Sequence, residues 1–253
     1  MGITNFELLN FLNSVLTPEK VKDFCPNGLQ VQGKTKITKI VMGVTASQAL
    51  IDNAVEVGAD AIIVHHGYFW KGESPCLTGM KKKRISTLLE HDINLYAYHL
   101  PLDIHPELGN NAQLAKLLGI TNITPLQEAN SQCVVMKGNF PEAITPETLC
   151  QKINHTLDKV PLHEPSSKPK IKTVAWCTGG GQNYIEQVAT ENIDAFITGE
   201  VSEQTIHVAR EMNIHFFAAG HHATERYGAK ALGEYIQRSL SIDTVFIDIF
   251  NPA

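Results

Sequence analysis

One pattern occurs twice in this chain, and it leaves few folds open. Ile40 to Thr45 is a short apolar run that leads through a helix-length segment, Ser47 to Val57, into Asp60-Ala61-Ile62-Ile63-Val64. Thr173 to Thr178 leads in the same way through Gln182 to Thr190 into Asp194-Ala195-Phe196-Ile197-Thr198. Both halves then continue with a further helical stretch and another apolar run, Asn94 to Tyr98 and Ile214 to Ala219. Strands joined by crossovers of this length pair in parallel, with the helices packed on the sheet faces. The expected class is α/β: duplicated three-layer α/β halves with mainly parallel sheets, residues 1–126 forming the first half and 127–253 the second. The C-terminal elements are free to pack back on the first half.

Around these repeats the signals are local. A first helix is expected from Thr4, with Phe6, Leu9, Leu12 and Leu16 as its apolar stripe. Between the halves, Cys133 to Met136 reads as a strand, and Thr145-Pro146-Glu147 opens a helix with a cap residue and proline at the first helical position. Pro161 to Lys170, with three prolines and two serines, reads as an exposed loop.

Composition narrows the class of protein. Twenty-one Lys and Arg against 26 Asp and Glu give a net charge of −5, which disfavours an electrostatic grip on nucleic acid. No apolar run reaches the roughly 18 residues of a membrane span. The first residues lack the pattern of a signal peptide, and Phe6 stands where a myristoylation motif needs Ser or Thr. Five scattered cysteines with no C-x-x-C pair argue against a disulfide framework or a zinc finger, so a cytoplasmic setting is expected.

The chemistry gathers where apolar runs end. Ala61 to Val64 runs into His65-His66-Gly67, Ile93 to Tyr98 into His99-Leu100-Pro101-Leu102-Asp103, and Phe216 to Ala219 into Gly220-His221-His222-Ala223-Thr224-Glu225. Imidazoles and carboxylates at strand exits are metal ligands placed where α/β proteins build sites. Neighbouring residues of a strand face opposite sides, so His65 and His66 do not both serve one site from a regular strand; at the strand end, where Gly67 permits a turn, they can diverge slightly and touch two neighbouring ions instead. Taken alone, the doublet reads rather as two polar residues closing a strand, and it is the second cluster that shifts the reading to a metal site. His221 and Glu225 share a helix face at a spacing of four, which on its own reads first as a plain hydrogen-bonded pair. Pro101 is expected to exclude a helix, leaving His99 and Asp103 in an extended loop. His99 reads as a ligand, a packed residue or, preferred, the residue that holds Asp103. Together, three histidines and two carboxylates suit two cations sharing Glu225, with a bridging water activated near neutral pH and residual positive charge for phosphate.

Weaker signals include Gly179-Gly180-Gly181, which lacks the spacing of a nucleotide-binding loop and reads as a tight turn. Lys81-Lys82-Lys83-Arg84 reads as a solvated helix start, and Glu200 and Glu203 hold the place of His66 in the second repeat.

The combined motifs Pro26-Asn27-Gly28-Leu29-Gln30-Val31, Gly43 to Ser47, His65-His66-Gly67, His99 to Asp103, Thr198-Gly199-Glu200 and Gly220 to Glu225 resemble one family along the whole chain. It is that of the dinuclear-metal-centre proteins called GTP cyclohydrolase I type 2 homologues, the interacting-factor-three-like family, in its short bacterial form. The resemblance implies two divalent metal ions per chain (iron, zinc or manganese) in a site between the halves, with His65, His66, Asp103, His221 and Glu225 as ligands. It also implies a homohexamer built as a ring of trimers, and hydrolytic opening of the imidazole ring of GTP, or action on another phosphorylated small molecule. Metal storage or delivery, or a ring-shaped scaffold, is the competing expectation.

Overall fold

The computed structural model describes residues 2–130 and 132–253. They fall into two compact units, Met1–Gly109 with Gly228–Phe250, and Asn110–Tyr227 with Asn251–Ala253.

The first unit contains β1 (Ile3–Thr4), α1 (Asn5–Leu16), β2 (Gly28–Val31), β3 (Lys36–Ile37) and β4 (Lys39–Thr45). It continues with α2 (Gln48–Glu56), β5 (Ala61–His66), α3 (Gly79–Glu90), β6 (Asn94–Ala97) and α4 (Leu100–Ile104). The second unit opens with α5 (Asn110–Leu118), β7 (Thr121–Pro125), β8 (Met136–Ile144), α6 (Pro146–Leu157) and β9 (Leu162–Glu164). Then come β10 (Ile171–Cys177), α7 (Ile185–Ala189), β11 (Ala195–Thr198), α8 (Glu203–Glu211) and β12 (His215–Ala218). The unit boundary lies inside α9 (His221–Leu240), and β13 (Asp243–Phe246) belongs to the first unit.

Both repeats form the expected parallel ladders, β4-β5-β6 and β10-β11-β12. The first sheet, ordered β13-β4-β5-β6-β2, is parallel except for β2. The second, ordered β7-β8-β10-β11-β12-β9, is mixed, because β7, β8 and β9 pair antiparallel. The first unit ends at Gly109, ahead of the residue 126 read from the sequence, because β7 pairs with β8 and so belongs to the second sheet.

Strand side chains alternate faces, and in each parallel ladder both faces are covered. Val41, Ile62, Val64 and Leu95 pack on Leu50, Ile51 and Ala54 of α2 and on Ile85 and Leu88 of α3. Ile40, Met42, Ile63 and Tyr96 pack on Leu8, Leu12 and Leu16 of α1 and on Leu232 and Ile236 of α9. The second unit repeats the plan, with Ala175, Phe196 and Phe216 against α7 and α8, and Val174, Trp176, Ile197 and Phe217 against α5 and α6. Each unit is thus a three-layer α/β body.

Three local expectations differ from the structure. The buried stripe of α1 is Asn5, Leu8, Leu12 and Leu16, leaving Phe6 in solvent. Thr4 does cap this helix, in a reciprocal capping box with Glu7. The strand near Cys133 starts only at Met136. Inside the expected 161–170 loop, Leu162–Glu164 adds a short edge strand to β12.

The amino ends of the two ladders are closed by the same device. Asp60 Oδ2 accepts from the Thr38 and Lys39 amides at 2.7 and 3.1 Å, and Asp194 Oδ2 accepts from the Lys172 and Thr173 amides, both at 2.9 Å. Lys34 pairs with Asp60 and Lys168 with Asp194. Burial alone would raise the Asp60 carboxyl, but Lys34, Thr38 and the two amides hold it down at about 2. A depressed folded-state pKa contributes stability that is present above the unfolded value, near 3.8, and is lost as pH falls through about 2. Asp60→Asn is therefore expected to cost about 2 kcal/mol at neutral pH. In urea melts the gap to the unmodified protein should narrow steadily from pH 5 downward, and a gap independent of pH would show that the charge is not what stabilises.

Candidate metal centre

In the first unit every candidate side chain stands at the carboxyl end of the parallel ladder. β5 runs out at His65 and His66, and the sheet alternation sends them to opposite faces. Their rings remain close, with centroids 4.4 Å apart. Gly67 is required immediately afterwards, since a Cβ there would lie 2.2 Å from Gln30 Oε1 and 2.5 Å from the Ala97 Cβ. Gln30 fills that space, accepting from the Tyr68 amide at 2.7 Å and donating to the Pro26 and Tyr68 carbonyls.

His65 is fully buried. Its Nδ1 lies 3.1 Å from the Tyr98 carbonyl, and because a carbonyl only accepts, the proton sits on Nδ1 and Nε2 is the donor toward a cation. That Nε2 is 3.5 Å from Oδ1 of Asp103, itself buried. His66 Nδ1 meets the Thr45 hydroxyl at 3.1 Å. A ring nitrogen of each of His65, His66 and His99 lies within 4.8 Å of the others, so this cluster can hold a metal ion.

Asp103 is not on an extended loop as the sequence suggested. Leu100–Ile104 forms a short helix with Pro101 in its first turn, where the missing N–H costs no intrahelical bond. The Leu102 and Asp103 amides both donate to the His99 carbonyl, which fixes Asp103 one turn after the strand exit. His99 makes no such link through its ring, whose Nδ1 lies 2.8 Å from Asp23 Oδ1 instead.

The second unit presents His221 and Glu225 on the first turn of α9. His221 Nε2 is 3.2 Å from Glu225 Oε2, while its Nδ1 is 2.6 Å from Glu200 Oε1. Glu200 follows β11 and is held by Gln182 Nε2 at 3.1 Å. Burial disfavours the charged His221 ring, yet the bonds to Glu225 and Glu200 outweigh burial and raise its pKa to about 9. Two carboxylates around one imidazole call for positive charge at this corner, the condition a cation would also satisfy.

The triple glycine does more than turn the chain. Gly179 has φ +66°, and a Cβ there would sit 2.0 Å from Glu225 Oε1 and 3.0 Å from His221 Nε2. Only glycine lets this loop run against the pair. The Gly179 amide donates to Thr224 Oγ1 at 3.0 Å and the Gly181 amide to Thr198 Oγ1 at 3.0 Å, so the loop is pinned on both sides. The donor set of imidazole and carboxylate, oriented by outer hydrogen bonds and left room by a glycine, fits divalent iron, zinc or manganese. The sequence reading missed Asp23, and it named Gln30 and Glu200 within motifs without giving either a hydrogen-bonding role. Asp23 lies 76 residues from His99, and no local spacing announces it.

A duplicated α/β fold with histidines and carboxylates at its strand exits defines the class as a candidate metal-binding protein. The chain belongs to the Duf34/NIF3 (NGG1p interacting factor 3) family, whose model matches residues 3–252. It is 56% identical over 252 residues to a Vibrio cholerae protein called GTP cyclohydrolase 1 type 2 homolog, covering 99% of this chain and all of that one. A Haemophilus influenzae protein of the same name is 57% identical over 252 residues, with the same coverage. Among solved structures, one described as protein ybgI of unknown function superposes with a TM-score of 0.95 at 54% identity, over 99% of this chain and 100% of that one. Reduced HcgD from Methanocaldococcus jannaschii superposes with a TM-score of 0.87 at 25% identity, over 98% and 99% of the two chains.

Gly179→Ala should displace Glu225 and weaken manganese binding by about tenfold or more, the scale of a disturbed ligand environment. Gly58→Ala is the control, since Gly58 has φ +67° with open space around its Cβ position. Equal manganese affinity in both variants, read by isothermal titration, would remove Glu225 from the metal site.

Proposed function

We propose that the chain is a metal-dependent hydrolase of phosphorylated small molecules, with ring opening of GTP as the reaction to test first. His65, His66, Asp103, His221 and Glu225 are the ligands in this reading, and they hold two divalent cations. The observation that carries it is the buried His65, whose Nδ1 is committed to the Tyr98 carbonyl and whose Nε2 is directed at the buried carboxylate of Asp103. Two polar residues merely closing a strand need neither a fixed tautomer nor a buried acid beside them.

Divalent ions so held supply Lewis acidity, activating water as a nucleophile and balancing the charge of a triphosphate. The chain's own residues do the rest. Glu200 and the Tyr98 carbonyl orient His221 and His65, Thr45 meets His66, and the Gly179 loop leaves the Glu225 carboxylate its room. The names of the relatives agree with a cyclohydrolase-like reaction, and assembly into a hexameric ring of trimers in the cytoplasm is part of the same proposal.

The test is product formation from GTP by protein loaded separately with manganese, zinc and iron, beside Glu225→Ala shown to be folded by circular dichroism. Metal-dependent ring opening that falls at least about a hundredfold in the variant is the expected result. Absence of turnover with all three metals, in protein that binds two ions per chain, would replace the GTP reading by another phosphorylated substrate or by metal storage and delivery.

A further inference from the structure

Three histidines of the first unit meet at the carboxyl ends of β5 and β6, and the ligand set above uses only two of them. The third, His99, is held as firmly as either. Its ring is 5.0 Å from that of His65 and 5.8 Å from that of His66, and Trp70 packs edge-on against it at 4.9 Å. Trp70 is fixed in turn by its indole N–H to the Gly67 carbonyl at 3.2 Å. The His99 amide donates to Asn27 Oδ1 at 2.8 Å.

Asp23 decides what this ring can do. Its Oδ1 accepts from the Phe24 amide at 2.6 Å and from His99 Nδ1 at 2.8 Å, while Oδ2 accepts from Asn27 Nδ2 and the Leu100 amide, both at 2.9 Å. The amide groups can only donate, so the carboxylate is used wholly as an acceptor. The His99 proton therefore sits on Nδ1, and Nε2 carries the lone pair in the neutral ring. This is the tautomer that the Tyr98 carbonyl imposes on His65, and the carboxylate–imidazole pairing that Glu200 makes with His221. Asp23, Cys25 and His99 also form a compact group, but it makes a poor second metal site. Asp23 already has four donors, and burial followed by the Asp23 charge pushes the Cys25 thiol up to about 12.

We infer that His99 is a further metal-binding residue, donating through Nε2 to the cation held at the His65–His66 doublet, and that Asp23 is the positioning residue that fixes it. A packed histidine would have no need of a carboxylate on one nitrogen and a ligand cluster around its ring. This inference rests on the metal-centre reading above and adds an imidazole to it.

Cobalt(II) titration of the full chain followed by visible absorption, and long-range proton–nitrogen-15 spectra of the imidazoles on zinc loading, test it together. The variants are His99→Gln, Asp23→Asn and the exposed control His207→Gln. Asp23→Asn should weaken cobalt binding about 10- to 100-fold, as loss of an outer carboxylate partner does. His99→Gln should change the cobalt spectrum, and the His99 Nε2 resonance of the unmodified protein should move on zinc binding while Nδ1 stays protonated. An unmoved Nε2 resonance, or a His99→Gln variant with unaltered cobalt affinity and spectrum, overturns the inference and leaves the five-ligand centre standing. If His99→Gln does not fold, the resonance and Asp23→Asn still decide. Failure of the unmodified protein to bind cobalt or zinc would overturn the metal-centre reading and this inference with it.

Discussion

The aspartate before the second parallel strand sets the frame on which everything else in each unit hangs. Asp60 ties its side chain to the start of β4 and its carbonyl to the Asn94 amide at the start of β6, and Asp194 does the same for β10 and for the His215 amide at β12. One residue thereby aligns three strands at their amino ends. The registers that follow are Ile40–Ala61–Asn94 and Val174–Ala195–His215. A slip of one residue would turn every side chain to the other face, burying His66 in place of His65. With register fixed at one end, the residues at the other end are fixed too. That is how a clamp at Asp60 determines which atoms meet at His65, His66 and His99.

The repeat also shows how one backbone plan yields different chemistry. By the strand registers, His66 corresponds to Glu200 and His99 to Gly220, so His221 stands one residue beyond the counterpart of His99. In both units the third strand passes directly into a helix whose first turns carry a carboxylate, Asp103 of α4 and Glu225 of α9. The amino-end residues diverge while keeping their work. Asn94 accepts from the Gly33 amide and donates to the Lys34 carbonyl, and His215 meets the Ser166 amide and the Lys168 carbonyl. Similar backbone demands are met there by different side chains, which is why the duplication is faint in the sequence and plain in the hydrogen bonds.

This explains what the sequence disclosed and what it concealed. The parallel ladders were legible because apolar runs, crossover lengths and the Asp-Ala start recur in order. The Thr4 and Thr145 caps were legible because capping acts over three residues. The His and carboxylate motifs stood out because they end apolar runs. Concealed were the features that depend on distant segments. β9 exists only because Leu162–Glu164 meets the edge of β12. The helical turn containing Pro101 was hidden because proline signals a break in the interior of a helix and none at its first turn. Gly179 looked like a turn glycine because the Glu225 carboxylate it accommodates is 46 positions away.

The outer partners of the imidazoles differ in kind, and the difference has consequences for the chemistry. His65 faces a carbonyl, His66 a hydroxyl, and His99 and His221 each a carboxylate. A carbonyl fixes a tautomer without adding charge. A hydroxyl can turn and accepts either tautomer. A carboxylate fixes the tautomer and also makes the far nitrogen a stronger donor. His65 and His221 are thus both oriented, and His221 carries the second carboxylate, Glu225, against its other nitrogen. Donors graded in this way would give a cation bound by carboxylate-backed imidazoles a weaker pull on its remaining ligands than one bound by carbonyl-backed imidazoles.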